Sequence, residues 1–189
     1  MIMSADQAIA GMRAARRSLI AALLISQLAP PAETFAAVAH RCPDHLFVIT
    51  RSKNANIVVY DANRGPSGDF ARSKPVVAYW LLNGEKGKRE ELNIVQWESA
   101  YGFDVKPGTD SGTFAMTFKV DRDRRLTIRT LNHCPVLTGR INGRDAILHK
   151  MYVKSNESVT PPKVEYTELF GKDIATGRSL YEKSVPAKG

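Results

Sequence analysis

A basic, amide-rich run, Arg51-Ser52-Lys53-Asn54-Ala55-Asn56, stands between apolar stretches at residues 46–49 and 57–60. Arg51 and Lys53 alternate with Ser52 and Asn54, so an extended chain puts two cations on one side, where an anion would meet both. The same alternation fits a solvated edge. Asn54 and Asn56 also suit a tight connection, because asparagine tolerates left-handed backbone and closes local side-chain turns. Tyr79, Trp80 and Tyr101 could supply an apolar wall beside the cations, although aromatic residues more often fill a core. His149 shares the strand parity of Ile147, Met151 and Val153, which predicts a core or rim histidine, or, more sharply, one that lines a cavity.

The histidines and cysteines form a second constellation. His40 and His45 flank Cys42, and His133 precedes Cys134. Two thiolates and two imidazoles can make a tetrahedral zinc or copper site, yet no Cys-x-x-Cys or His-x-x-x-His pair fixes two ligands locally. A structural disulfide between Cys42 and Cys134 is favoured over unpaired thiols and over a metal site, so no metal or cofactor is expected. A nucleophilic pair of Cys134 with His133 is poor geometry, since neighbouring residues of a strand face opposite ways.

Other chemistries lack their signatures. The segment from Gly84 to Arg89 has arginine where a phosphate loop needs serine or threonine, and Gly65-Pro66-Ser67-Gly68 lacks the spacing of a nucleophile elbow. No dinucleotide fingerprint, His-Glu-x-x-His helix or calcium loop occurs. No two carboxylates are spaced as an acid and base pair. The leading expectation is a non-catalytic binding module for an anionic or amphipathic ligand, a lipid or an envelope partner. The alternative is a hydrolase that uses His149 or His133 with a nearby carboxylate.

The elements that must position these residues read as strands. Residues 57–60 and 76–82 are β-branched and aromatic runs bounded by Asn, Gly and Pro. Residues 113–120 alternate, with Phe114, Met116, Phe118 and Val120 on one side, and a charged turn at residues 121–125 leads to a second alternating strand at 126–129. Asn142-Gly143 between the apolar runs 136–141 and 146–153 is a two-residue hairpin turn. Further strands are expected at 46–49, 101–105 and 164–170, with a short one at 180–182. Residues 90–97 are ambiguous between strand and helical turn, and 155–162 read as a surface loop. The expected fold is all-β: a single-domain antiparallel β-sandwich or β-barrel built from sequential hairpins over residues 40–189.

The chain has 189 residues and a net charge of +8, from 27 Lys plus Arg against 19 Asp plus Glu. Arg13, Arg16 and Arg17 precede the apolar run 19–29, Pro30 and Pro31 end it, and Ala37-Val38-Ala39 offers the small residues a signal peptidase reads. Residues 1–39 are therefore expected to be a signal peptide, with translation possible from Met12. An apolar run this short falls well below the roughly 20 residues that span a bilayer. Cleavage removes three arginines and two acids, so the remaining chain keeps +7. The expected location is periplasmic or secreted, which favours disulfide formation. Basic residues are interleaved with acids, so nucleic acid is not an expected partner.

Arg51-Ser52-Lys53-Asn54-Ala55-Asn56-Ile57-Val58-Val59-Tyr60, Pro75-Val76-Val77-Ala78-Tyr79-Trp80, Lys88-Arg89-Glu90-Glu91-Leu92-Asn93, Ala100-Tyr101-Gly102, Tyr152-Val153-Lys154-Ser155 and Tyr166-Thr167-Glu168-Leu169-Phe170-Gly171-Lys172-Asp173 occur in that order. Together they resemble a bacterial family catalogued as a domain of unknown function, number 4833, over roughly residues 45–183. The resemblance implies one exported domain in which residues 51–56 are a family hallmark. It brings no catalytic residues, and the cysteine pair lies outside its pattern.

Overall fold

The computed structural model of the protein describes residues 42–51, 54–156, 158 and 163–185. Eleven strands form one sheet: β1 (His45–Arg51), β2 (Asn54–Ala62), β3 (Val76–Leu82), β4 (Lys88–Glu91), β5 (Phe103–Pro107), β6 (Phe114–Phe118), β7 (Asp121–Leu131), β8 (Cys134–Ile141), β9 (Arg144–Asn156), β10 (Lys163–Asp173) and β11 (Ser179–Ser184). The order is β4-β3-β2-β1-β9-β8-β7-β6-β5, with β10 also on β9 and β11 on β10. The fold is all-β, and the sandwich-or-barrel alternative resolves as a strongly curled half-barrel. Sequential strands pair antiparallel, as expected, except β4 and β5, which lie at opposite ends of the strand order. One pairing departs from the pattern: β1 runs parallel to β9, with Val48 opposite Lys150 and Arg51 opposite Val153.

The curl follows from what the strands must bury. Alternate residues of β1 and β2, among them Phe47, Ile49, Val58 and Tyr60, are buried on the concave face. The β5 and β6 end of the sheet folds back over them: Phe118 lies edge-on to Phe47 at 5.7 Å, and Phe103 to Tyr60 at 5.7 Å. A single sheet thereby supplies both sides of its own core, which a flat sheet cannot do.

The two cysteines are joined in a disulfide with Cα atoms 5.2 Å apart, tying the chain just before β1 to the first residue of β8. Asn142 and Gly143 take φ of 50° and 74°, the turn that their types require, between β8 and β9. This turn is docked on β11, where Asn142 Nδ2 donates to the Tyr181 carbonyl at 2.6 Å.

Several local expectations are corrected. The β6–β7 turn is Lys119-Val120 and not the charged run at 121–125, because Phe118 already pairs with Asp121; Val120 is left exposed. Strand β9 continues through buried Ser155 to Asn156, so the loop starts later than its polarity suggests. The ambiguous residues 90–97 divide between the end of β4 and a helical stretch, α-helical at Ile94–Gln96 and π-helical at Trp97–Tyr101. A reciprocal cap opens this stretch. Asn93 Oδ1 accepts from the Gln96 N–H at 2.9 Å, and Gln96 Oε1 accepts from the Asn93 N–H at 3.1 Å.

Candidate functional site

Arg51 ends β1 on the same alternation as Phe47 and Ile49. Its backbone pairs with Asn54 across the two residues Ser52 and Lys53. The guanidinium is half-buried, and it donates from Nη1 to Tyr101 Oη at 3.1 Å and from Nη2 to Ser155 Oγ at 3.2 Å. Both acceptors are neutral hydroxyls, and no carboxylate lies within ion-pair distance of Arg51 among the described residues. Its charge is thus held in place without being compensated.

The short helical stretch positions Tyr101. Trp80 Nε1 donates to Gln96 Oε1 at 3.1 Å, anchoring the helical stretch to β3, and the Trp80 ring meets the Tyr101 ring edge-on at 5.1 Å. From below, Tyr60 Oη donates to the Tyr101 carbonyl at 2.8 Å. Burial raises the Tyr101 pKa, and the adjacent Arg51 charge only partly opposes this, so the phenol stays protonated and can itself donate. Arg51, Trp80 and Tyr101, distant in sequence, are therefore neighbours, joined by Ser155, whose polarity by itself suggests the start of a loop.

The remaining candidates are not brought to this point. Lys53 lies outside the described residues, as does the Asn54 side chain. Asn56 Oδ1 accepts from the Asn83 N–H at 3.1 Å and so braces β2 against the turn after β3. Tyr79 alternates with Trp80 and faces away from it. Its hydroxyl donates to Asp61 Oδ2 at 2.7 Å, and the Arg89 guanidinium lies over its ring at 4.3 Å.

His149 is displaced for a different reason. Phe170 of β10 pairs with Lys150 and the next residue, Gly171, pairs with Leu148, which leaves His149 as the extra residue of a bulge. Buried Leu148 and Met151 both face inward across it, so parity with Met151 is lost and His149 is exposed. Local desolvation and the charges of Lys172 and His45 lower its pKa. Neither His149 nor His133 makes a side-chain hydrogen bond among the described residues. Likewise, no cluster of three metal-ligating side chains occurs among the described residues.

The outer face carries an arrangement that the sequence did not suggest. His45 Nδ1 lies 3.1 Å from Asp61 Oδ1, and Asp61 also accepts from Tyr79. They border a cleft of about 670 Å³ with an apolar wall that includes Val48, Ile57, Val59 and Leu81. The sixteen-residue separation of His45 and Asp61 has no motif; only the β1–β2 register, in which they are direct partners, joins them. The lining contains no serine, threonine or cysteine to serve as a nucleophile.

Partial burial pushes the Asp61 carboxyl up, but the hydrogen bonds from His45 and Tyr79 and the charges of His45 and Arg89 outweigh it, holding the pKa below 3.8. Burial, reinforced by the same pairing with Asp61, pushes the Tyr79 phenol up to about 12. A carboxylate with a depressed folded pKa contributes stability above its unfolded pKa and loses it as pH falls through the folded one. Asp61→Asn is therefore expected to lose about 1 kcal/mol at pH 6, discounted for partial exposure, and to match the wild type near pH 2. Urea midpoints measured between pH 6 and pH 2 check this; a constant difference would contradict it.

Comparison with known proteins adds one finding. Residues 47–183 match the family described as "Domain of unknown function (DUF4833)". No curated protein and no solved structure matches the chain.

Proposed function

Because the chain belongs to the DUF4833 family over residues 47–183, whose description assigns no activity, we propose from the geometry that it is an extracytoplasmic binding module for an amphipathic anion. The observation that carries this reading is the half-buried Arg51 guanidinium, held by two neutral hydroxyls with no carboxylate within ion-pair distance among the described residues. A carboxylate or phosphate head group would restore charge balance there by a forked, charge-assisted contact. Trp80 and Tyr101 stand beside it as buried members of the core, and the partly buried Val153, opposite Arg51 on β9, offers apolar surface to a tail. The disulfide and the signal-like residues 13–39 support a location outside the cytoplasm. Among the described residues, no helix is long and apolar enough to cross a membrane.

The test has two arms. Native mass spectrometry of the protein as purified is expected to reveal a co-extracted anionic amphiphile. Titration with oleate, compared with neutral monoolein, is expected to show tighter binding of the acid, and Arg51→Gln is expected to weaken oleate binding about tenfold, the usual scale for a lost charged hydrogen bond. Arg51→Lys should retain part of the affinity. Equal affinity for oleate and monoolein, or an unchanged Arg51→Gln variant, would reject the reading.

A further inference from the structure

The outer face of β6, β7 and β8 is marked by its arginines. Along β7, Arg125, Thr127 and Arg129 alternate with the buried Leu126 and Ile128, so all three point away from the core. Arg124 on β7 and Arg140 on β8, like Arg64 and Arg144, each meet a carboxylate within 3.5 Å. Arg125 and Arg129 meet none among the described residues. Moreover, the Arg129 Nε is buried without a hydrogen-bond partner, which is uncommon in folded proteins and unfavourable for a charged group.

Arg129 also stands where two grooves adjoin. One, of about 510 Å³, runs past Arg125, Thr127 and Thr138; the other, of about 990 Å³, continues past Arg72 and Leu131. Both are walled by the loop between β5 and β6, with Asp110 in both linings, Asp69 in the larger, and Asp145, paired with Arg140, in the smaller. Arg129 lies four positions along the strand from Arg125, a backbone spacing of about 13 Å. A chain with repeated oxyanions and hydroxyls matches that backbone spacing, with Thr127 between the two arginines as a hydrogen-bonding partner.

We propose that this groove binds an acidic polysaccharide, with Arg125 and Arg129 each taking one carboxylate of the chain. Nucleic acid fits less well. The aromatic residues lining the grooves, Phe70 and Phe114, are buried in the core, so no exposed ring is available to stack a base.

The full chain is titrated at low salt with hexagalacturonate, with galacturonate monomer, and with a twenty-nucleotide polythymidine strand. The hexamer is expected to bind at least tenfold more tightly than the monomer, because it bridges two cations. Arg125→Gln and Arg129→Gln are each expected to weaken the hexamer about tenfold. The exposed Arg125 serves if Arg129→Gln does not fold, and Lys183→Gln, which removes one charge from β11, is expected to change binding less than twofold. The proposal is overturned if the hexamer does not bind, if hexamer and monomer bind equally, or if the arginine variants match the wild type. It is also overturned if polythymidine binds as tightly as the hexamer.

Discussion

Replacing Cys134 with serine, or reducing the disulfide, is expected to lower the unfolding free energy by about 2–4 kcal/mol. The bond closes a loop across 92 positions, which on chain-entropy grounds alone contributes roughly 4–5 kcal/mol by restricting the unfolded chain; measured values for such bonds are usually smaller. The position of the bond makes the effect global. It anchors the entry to β1, whose neighbours in the sheet are β2 and the parallel strand β9. Parallel pairing between segments so far apart in sequence carries a large closure entropy, and the covalent link reduces it. Urea unfolding with and without reductant measures the difference. A change below 0.5 kcal/mol would mean that the hairpins hold β1 without help.

A comparable loss is expected at the stacked pair in the centre of the core. Phe47 lies 4.4 Å from the Tyr60 ring with planes 17° apart, and edge-on to Phe118; Phe47 and Tyr60 are fully buried. Phe47→Ala removes the ring through which β1 meets both β2 and the returning strand β6, and is expected to destabilise the fold by about 3–5 kcal/mol. Tyr60→Phe separates packing from polarity. It keeps the ring and deletes only the hydrogen bond to the Tyr101 carbonyl, which leaves that acceptor unpaired at an expected loss of about 1–3 kcal/mol. Because Tyr101 is the partner of Arg51, the same substitution should also weaken oleate binding, whereas Phe47→Leu should affect stability alone. Denaturant midpoints and the oleate titration, read on the same variants, distinguish the two effects.

The strands were legible where one local rule decided them. Phe114, Met116 and Phe118 alternate and are buried, and Asn142-Gly143 turns because few other pairs accept two positive φ values. Legibility failed where a pairing partner set the geometry. Nothing in the β9 sequence marks His149 as a bulge, since the extra residue is defined only by the pairing of Phe170 and Gly171 with Lys150 and Leu148. Nor does the order Tyr79-Trp80 say which ring faces inward. The register against β2 decides it, and it separates two residues that composition would place in one aromatic wall.

From the sequence alone come the all-β class, the hairpin turns, the family resemblance and the two cysteines as a candidate bond, because each rests on local periodicity, residue type or a recognisable order of motifs. The union of Arg51 with Tyr101 and Ser155, of His45 with Asp61, and of Cys42 with Cys134 belongs to the tertiary structure. These residues lie far apart in the chain and meet only once the sheet has curled and chosen its register. That choice is made by burying Phe47, Tyr60 and Phe118 against one another, and the polar groups at the rim follow from it.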